Sequence, residues 1–351
     1  MIAFALRLPA TWRAASRVSV IPGLLPAAML AVMLVASWAA PAMAQGKKMT
    51  LAIPGVPPIF SSVVTFVADK EGLFKKHGVD VTIRPFDNGT AAARAVVAGD
   101  VDMALSPTPP VINQVSNAGV PLIAVYGLPN PDWVLVSADK GKTCKDIVGQ
   151  SVGVDSIGGA RSVALRSMLV GCPGVKIEDV KQVPLGSNSG TALIAGQLHY
   201  AILHLDDLAL IQSQGKPLNI LLAMKNTNPT SHYLVYVVRA DHLKANRDAY
   251  VRMVAGLIEA GRFMNDPKNA DKVAEIATIT GHDKAVSKAA LAEFLKIGFW
   301  ATTDDGMPRA KIEAVATLMK KIGAIKADKQ PVSFDKFVDQ SVWKDANAMV
   351  K

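Results

Sequence analysis

The chain of 351 residues contains only two cysteines and six histidines, and its lysines and arginines are scattered. His199 and His204 stand at opposite ends of one expected strand, so they do not converge on a metal ion. No block of basic residues indicates a nucleic-acid surface. The phosphate-binding pattern G-x-x-x-x-G-K-[ST] is missing, and no Ser/His/Asp or Cys/His set has the order of a catalytic triad. We therefore predict no metal, no cofactor, no nucleic-acid partner and no enzymatic activity.

The first 44 residues have the layout of a secretory signal peptide. Three arginines precede a mostly apolar stretch over residues 24–35, and Ala42-Met43-Ala44 fits a small-x-small cleavage site. A membrane anchor is the alternative, but prolines interrupt the apolar run, which is short for a span of about 20 residues. We predict cleavage before Gln45 and export to the periplasm. Removing the three arginines lowers the net charge from +9 to +6.

The two cysteines, Cys144 and Cys172, admit two interpretations. An exported chain meets an oxidising compartment, in which a structural disulfide can form. The alternative is a pair of buried thiols. Neither cysteine lies at the predicted cleavage site, so lipid anchoring is not indicated.

A helix–glycine–strand pattern occurs twice. Residues 95–106 read AVVAGDVDMALS, and residues 192–203 read ALIAGQLHYAIL. In both copies Ala-Gly suits the end of a helix, and the following aliphatic run suits a strand covered on both faces. Two such units predict two similar α/β lobes, with the turns after their strands facing a common cleft.

The remaining pattern supports an α/β fold with a helical tail. Strands and helices alternate up to Tyr126, which is typical of a mostly parallel sheet flanked by helices. A second alternating series follows the Lys140-Gly141-Lys142 turn, and the chain is helical from Ala249 onward. About 300 residues after the signal peptide allow two lobes of roughly 100–200 residues each.

Four segments resemble periplasmic substrate-binding proteins of ABC importers, in the NMT1-like branch that includes nitrate, sulfonate, taurine and thiamine-precursor carriers. The segments are DKEGLFKKHGVDV at 69–81, AGDVDMA at 98–104, DIVGQSVGV at 146–154 and AGQLHYA at 195–201. In the last segment, His199-Tyr200 stands where the branch usually has Asp-Ala. The Cys and His cluster of the related pyrimidine synthases is also missing, which disfavours an iron-using enzyme.

The resemblance implies a two-lobed, type II-like periplasmic binding protein with a helical C-terminal tail. Lobe 1 would comprise residues 45–134 plus 235–351, and lobe 2 residues 135–234. The resemblance also implies a monomer that works with an ABC permease in the inner membrane. A ligand would bind between the lobes, which agrees with the rule that open α/β sheets bind ligands beyond the carboxyl ends of their strands.

The candidate ligand-binding residues lie in turns that follow the predicted strands and that are rich in Ser, Thr, Asn and Gly. They are Phe60, Ser61, Ser62, Asn88, Thr90, Ser106, Thr108, Ser156, Gly159, Arg161, Asn188 and His204. Helix starts at such turns present free N–H groups and a partial positive charge. Alternatively, Ser61, Ser62, Thr90 and Thr191 simply cap their helices.

Arg161 is the sharpest candidate, because a positive charge at a helix start is unfavourable unless an anion lies beside it. A solvent-facing arginine, or one paired with Asp155, is the alternative. His204 is a ligand contact or a core histidine. Asp206 and Asp207 beside it either cap the next helix or bind a cationic group. Trp133 and Tyr126 either stack on a flat ligand or belong to the core.

The function expected from these features is capture of a small organic ligand by hinge closure. Arg161 and the helix starts favour an anion such as a sulfonate or carboxylate, and the acids near His204 keep a thiamine-type pyrimidine or another aromatic ligand as the alternative. A sensory module and, less favoured, a pyrimidine-processing enzyme on the same fold are further alternatives. Because Ser106 ends the first copy of the pattern and the titratable His204 directly follows the second, we expect specificity to depend on His204 more than on Ser106.

Overall fold

A computed structural model describes residues 46–155, 157–186 and 188–350. The predicted signal peptide and the candidate Ser156 lie outside these residues. None of the helices among the described residues is both long enough and apolar enough to cross a membrane.

The first sheet has its five strands in the order β2-β1-β3-β10-β4. The strands are β1 (Lys47–Pro54), β2 (Val79–Phe86), β3 (Met103–Pro107), β4 (Leu122–Leu128) and β10 (Leu234–Arg239). β1 pairs in parallel with β2 and β3, whereas β10 is antiparallel to both β3 and β4. Four strands therefore run in one direction, and their carboxyl ends share one edge.

The second sheet repeats this arrangement, in the order β7-β6-β8-β5-β9. Its strands are β5 (Val134–Ser137), β6 (Ser151–Val154), β7 (Lys181–Pro184), β8 (Tyr200–Leu203) and β9 (Asn219–Ala223). β5 is antiparallel to β8 and β9, whereas β6 pairs in parallel with β7 and β8. The sequence pattern does not predict β9, a short, mostly half-buried edge strand that lacks apolar–polar alternation.

The predicted two-lobed α/β class is confirmed by these equivalent sheets. Each copy of the repeated sequence pattern supplies the central strand of its sheet, β3 in the first and β8 in the second. Gly99 (φ 84°) and Gly196 (φ 69°) adopt the left-handed conformation that ends the preceding helices. The repeated pattern thus places the same turn at the same edge of both sheets.

Fourteen α-helices occur among the described residues, and six of them form the C-terminal tail. They are α1 (Val63–Lys70), α2 (Leu73–Lys76), α3 (Gly89–Ala98), α4 (Thr108–Ala118), α5 (Ala160–Met168), α6 (Ser189–Ile194), α7 (Leu205–Ser213), α8 (Met224–Thr227), α9 (Ala240–Asn265), α10 (Ala270–Ala277), α11 (Lys284–Lys296), α12 (Arg309–Lys321), α13 (Phe334–Phe337) and α14 (Gln340–Met349).

The chain crosses between the sheets twice. One crossing joins β4 to β5, and the other leads from β9 through α8 to β10. β5 begins at Val134 and β10 at Leu234, each one residue before the corresponding predicted boundary. Tyr126 and Tyr236 stack beside these crossings, with ring centroids 5.8 Å apart, and both side chains are fully buried. The structure therefore places Tyr126 in the core.

Helix α11 contacts elements of both sheets. It packs against α7, which follows β8 of the second sheet. Its Phe294 also lies 4.9 Å from the Phe60 ring, in the turn after β1 of the first sheet. Helix α11 therefore contacts both lobes, so the C-terminal tail does not pack against one lobe alone.

The Cys144 and Cys172 sulfurs are bonded in the structure, with Cα atoms 6.0 Å apart. The bond ties the turn before β6 to the segment after α5, and Cys172 is fully buried. It therefore closes a loop with a sequence separation of 28 within the second lobe.

Removing this disulfide should destabilise the second lobe and leave ligand affinity unchanged. The chain-entropy model gives a loss of about 3 kcal/mol for a loop of this size. The Cys144→Ser/Cys172→Ser double variant should show that loss in urea denaturation followed by far-ultraviolet circular dichroism. An unfolding free energy equal to that of the wild type would contradict this expectation.

Candidate functional site

Three serines, two in the segment after β1 and one near the end of β3, are buried. Ser61, Ser62 and Ser106 are each 2 % exposed or less, and their hydroxyl oxygens have no hydrogen-bond partner among the described residues. Ser62 occupies the N-cap position of α1 but makes no side-chain cap bond, and Ser61 lies inside the preceding short 3-10 turn. The helix-capping interpretation is therefore wrong for both residues.

The backbone around Ser106 is closely packed. A Cβ atom at Gly89, the first residue of α3, would lie 2.3 Å from Pro107 Cδ and 3.1 Å from Ser106 Cα. Glycine is therefore required at the start of α3 for the helix to approach the end of β3. This approach sets the N-terminus of α3 directly beside Ser106, where helix N–H groups favour a negative charge.

Thr108 is held by His232, a residue that the sequence did not single out. The Thr108 hydroxyl lies 2.7 Å from His232 Nδ1, and His232 Nε2 lies 2.7 Å from the Gly306 carbonyl oxygen. With Nε2–H donating to that carbonyl, Nδ1 accepts from Thr108 and the ring is neutral. Burial lowers the pKa of His232 from 6.5 to about 4, because charging the ring would cost its hydration.

The neutral His232 predicts a loss of stability in mild acid. Its pKa is depressed in the folded state, so the unfolded chain takes up the proton first as the pH falls from 6.5 towards 4. Stability present above pH 6.5 should therefore decrease across that window, by up to about 3 kcal/mol. His232→Gln should flatten this part of the denaturation profile, whereas His199→Gln, which changes an exposed ring, should not. The same pH slope in wild type and His232→Gln would contradict the assignment.

Six charged residues form a second group, which we call the charged cluster. Arg161 is the second residue of α5, and Asp132 lies in the first crossing segment. The cluster comprises Asp132, Arg161, His204, Asp206, Asp207 and His282. It lies beyond the carboxyl ends of β6 and β8, where the fold predicts a ligand site.

Three ion pairs connect the cluster. Asp132 Oδ2 lies 2.7 Å from His204 Nδ1, Arg161 Nη2 lies 3.2 Å from Asp207 Oδ2, and His282 Nε2 lies 3.2 Å from Asp206 Oδ2. Asp207 Oδ2 also accepts the backbone N–H of His204, at 3.3 Å, and so caps α7. The guanidinium of Arg161 thus pairs with Asp207, whereas Asp155 accepts the backbone N–H of Arg161.

Two atoms of the cluster stay unpaired among the described residues, namely Arg161 Nη1 and Asp132 Oδ1, and both are buried. Arg161 is 6 % exposed and Asp132 is 2 % exposed. Burial raises the pKa of Tyr233, and the Asp132 carboxylate beside its hydroxyl adds to the rise. Buried polar atoms are nearly always paired, so these two require an explanation.

The charges within the cluster shift one another's pKa. Burial opposes a charge on His204, but the charge and hydrogen bond of Asp132 outweigh it and raise the pKa of His204. The hydrogen bond to Asp206 raises the pKa of His282 against a smaller effect of burial. With both imidazoles protonated, three positive groups face three carboxylates, so the cluster is balanced without any further ion.

Trp133 holds the cluster in place. Its ring centroid lies 3.6 Å from that of His204 and 5.9 Å from that of Tyr233, and the Arg161 guanidinium lies 5.7 Å from its centre. Trp133 is 6 % exposed. Its ring is therefore engaged by protein side chains, which favours packing over stacking on a flat ligand.

The other candidates occupy separate positions. Phe60 lies in the aromatic cluster with Phe294. Asn88 is exposed and accepts the Ala91 N–H as the cap of α3, so Thr90 does not cap that helix. Asn188 is exposed at the start of α6 without a side-chain cap bond. Gly159 is half-buried at the N-cap of α5.

Asp132, His204 and Asp206 each offer one potential metal-ligand atom, and these atoms lie within 4.8 Å of one another. Asp132 and Asp206 already accept hydrogen bonds from His204 and His282. A metal ion would have to displace those protons and would lie near the positive charge of Arg161. No local sequence pattern indicates this grouping, and the expected absence of a metal stays a prediction.

A groove of about 470 Å³ opens elsewhere, between Ile123, Leu243 and Phe334. It lies at the opposite end of the first sheet from Ser106. Ile123 is near the start of β4, whereas Ser106 is near the end of β3, and the two strands run in the same direction. Its Arg247 is paired with Asp345. Since it lacks the buried unpaired polar atoms of the cleft residues, we do not take it as the ligand site.

Sequence reasoning overlooked Asp132, His232 and His282. Asp132 stands between Pro131 and Trp133, close to the predicted lobe boundary at 134/135, and an acidic residue in such a rigid apolar setting was an available signal. His232 lies close to the other predicted lobe boundary, at 234/235. His282 precedes α11 and reaches Asp206 only through the packing of that helix against α7, so no local pattern reveals it.

The two equivalent sheets, with polar turns at their carboxyl ends, define a two-lobed binding-protein fold. The chain matches the model of the NMT1/THI5-like family over residues 60–270, more than half of its length, and it belongs to that family. This confirms the resemblance drawn from the four sequence segments.

Individual relatives agree with this assignment. A candidate binding protein of Brucella abortus is 23 % identical over 306 residues, which cover 84 % of this chain and 92 % of the relative. The periplasmic aliphatic sulphonate-binding protein SsuA of Escherichia coli matches with a TM-score of 0.68 and 17 % identity, over 84 % of this chain and 92 % of SsuA. The periplasmic nitrate-binding protein NrtA of Synechocystis matches with a TM-score of 0.66 and 13 % identity, over 88 % and 90 % of the two chains. At these identities the two structures support the fold alone.

Proposed function

We propose that the chain is the solute-binding component of an ABC-type importer and that it captures a small organic anion, such as a sulfonate or carboxylate, between its two lobes. The lobes would meet at the crossings near Pro129–Trp133 and Ser231–Tyr233. The proposed contacts are the hydroxyls of Ser61, Ser62 and Ser106, the guanidinium of Arg161 and the imidazole of His204.

The observation that carries this proposal is the position of the buried unpaired polar atoms. Nine buried side-chain atoms have no hydrogen-bond partner among the described residues, and three of them belong to Gln114, Ser287 and Trp343 on helices α4, α11 and α14. The other six belong to Ser61, Ser62, Ser106, Asp132, Arg161 and Ser189. These six residues lie at the end of β3, in segments that follow other strands or in a crossing, at the edge where such folds bind ligands. A small polar ligand held there would pair several of them at once, and leaving each unpaired costs about 1–3 kcal/mol.

Arg161 supplies the anion preference in this mechanism. Its Nη2 donates to Asp207 Oδ2 at 3.2 Å, which orients the guanidinium group. Nη1 is then available to donate to a ligand oxygen. His204, whose pKa is raised, adds a second positive group, while the hydroxyls of the first sheet close on the ligand from the other lobe. Contacts to both lobes give the ligand a higher affinity for the closed form, which is the condition for hinge closure.

The cellular setting follows from the same proposal. Residues 1–44 would direct export and be removed before Gln45, and the mature monomer would deliver its ligand to a permease in the inner membrane. The chain would bind its ligand without turning it over. The names of the structural relatives SsuA and NrtA, which place those proteins in the periplasm, support this setting.

A thermal-melt screen tests the proposal. Binding to the folded state alone stabilises it by about 2.7 kcal/mol when the ligand concentration is 100 times Kd. We expect at least one compound among alkanesulfonates, carboxylates, nitrate and pyrimidines to raise the melting temperature by several degrees, with no product formed on prolonged incubation. If none of these classes raises it, the proposed transport role is wrong; conversion of a bound compound would indicate an enzyme instead.

A further inference from the structure

We propose that residues 281–300 form a strap that restrains opening of the two lobes and that releases at its contact with Asp206. The strap comprises the turn before α11, helix α11 itself and the aromatic residues that follow it. It is a third link between the lobes, beside the two chain crossings. The inference goes beyond the proposed function, because it concerns the protein without a ligand and can be tested without one.

Aromatic packing anchors the carboxyl end of the strap to the first lobe. The ring centroid of Phe294 lies 4.9 Å from that of Phe60, which follows β1, and 5.5 Å from that of Trp300. All three side chains are 3 % exposed or less. Trp300 Nε1 also donates to the Ser61 carbonyl oxygen at 3.4 Å. Because separating these rings would return apolar surface to water, this end should stay attached when the lobes move.

The crossings are bound to the same end of the strap. Asn130 Nδ2, in the first crossing, donates to the Ile297 carbonyl oxygen at 2.8 Å. In the second crossing, the Tyr233 ring meets the Phe299 ring edge-on, with centroids 5.9 Å apart. The strap therefore moves with the first lobe and with the crossings themselves. Bending at the crossings must then displace the second lobe relative to the amino end of the strap.

The amino end of the strap lies between the two lobes. His282 Nε2 lies 3.2 Å from Asp206 Oδ2, in the first turn of α7, and α11 packs against α7. On the other side, a Cβ atom at Gly281 would lie 3.6 Å from Pro57 Cγ, in the segment after β1. Two adjacent residues thus meet the first lobe and the second lobe. The turn before α11 therefore bridges the lobes directly.

The contact between His282 and Asp206 is the point of release, because it is the polar and partly exposed end of the strap. Both side chains are 12 % exposed. Water can replace each partner as soon as α7 and α11 begin to separate, so the net loss is smaller than that of an unpaired buried group. The aromatic end has no such replacement, because water gives apolar rings no compensating contact. Hinge opening should therefore begin at α7 and leave the strap on the first lobe.

Small-angle X-ray scattering of the ligand-free protein measures the opening. We expect His282→Ala to have a larger radius of gyration than the wild type, because its lobes separate more often. Asp206→Ala removes the same contact from the second lobe and should give the same increase. The double variant should open no further, since residues that act through one contact are not additive.

Hydrogen exchange followed by mass spectrometry locates the release. In His282→Ala, amides of α7 and of the amino half of α11 should exchange about tenfold faster than in the wild type. Amides in the carboxyl half of α11 should keep their wild-type rates, whereas a general loss of stability would accelerate both halves. In the wild type the amino half should already exchange faster than the carboxyl half. The reverse order would overturn the proposal without reference to any variant.

Lys288→Ala is the matched control on the same helix. Lys288 is exposed and pairs with Asp271 of α10 at 2.7 Å, so this variant loses an ion pair that lies within the tail. It should keep the radius of gyration and the exchange rates of the wild type. An unchanged radius in a folded His282→Ala variant, or an equal increase in Lys288→Ala, would overturn the strap. The melt screen tests the proposed function separately, so the absence of any stabilising compound would reject that function and leave the strap standing.

Discussion

Replacing Arg161 with alanine is expected to weaken ligand binding about a hundredfold, which corresponds to about 3 kcal/mol for a charge-assisted hydrogen bond in a desolvated site. Arg161 is 6 % exposed, and its Nη1 has no partner among the described residues. The measurement is the Kd, by calorimetry, of any compound found in the melt screen. The variant should fold, because Asp207 is partly exposed and water can solvate it once its partner is lost.

The control for this prediction lies on the same helix. Arg166 is exposed and pairs with Glu178 at 3.5 Å, so Arg166→Ala should leave both affinity and folding almost unchanged. Arg161→Lys should give an intermediate loss of affinity. It keeps the positive charge but lacks the two terminal nitrogens with which a guanidinium can bind Asp207 and the ligand at once. Equal affinity of Arg161→Ala and wild type would remove Arg161 as the anion anchor.

Changing His204 is expected to alter which ligand binds, and to do so more than changing Ser106. His204→Gln removes a positive group whose pKa is raised by Asp132, so affinity for anions should fall at least tenfold. In the wild type that affinity should decline as the pH rises through the elevated pKa, because the protonated ring is the form that attracts an anion. His204→Gln should lose this dependence on pH.

Ser106→Ala is the matched change in the other lobe. It removes one neutral hydroxyl, whose net contribution to binding is about 1 kcal/mol, and should keep the order of ligand preference. The measurement is the ranking of Kd values over the same probe panel for the two variants. An unchanged ranking in His204→Gln, or a larger change in Ser106→Ala, would show that the asymmetry between the lobes does not set specificity.

The fold could be predicted because residues that are neighbours in the sequence specify its strands and turns. The helix–glycine–strand pattern at 95–106 and 192–203 needs only neighbouring residues to specify each turn, and its two copies supply the central strands β3 and β8 of the two sheets. Ser61, Ser62 and Ser106 were predictable for the same reason, since Ser106 lies near the carboxyl end of β3 and the other two lie between β1 and the next helix. The edge strand β9 was not, because it lacks the apolar alternation that marks a half-buried strand.

The charged cluster could be predicted only in part. Arg161 stood out because its charge conflicts with the helix start, and that conflict is visible in the sequence. Its partner Asp207 was visible as a possible cap, but the ion pair between them depends on how α5 and α7 pack. Asp132 and His282 reach the cluster through a crossing and through α11, and such tertiary placement leaves no periodic signal.

The most direct test of the account is the crystal structure of the protein with a compound that raises its melting temperature. We expect the anionic group of this compound to lie within hydrogen-bond distance of Arg161 Nη1, and the compound also to contact Ser61, Ser62 or Ser106 of the other lobe. A compound bound instead in the groove between Ile123, Leu243 and Phe334, or touching one lobe alone, would contradict it.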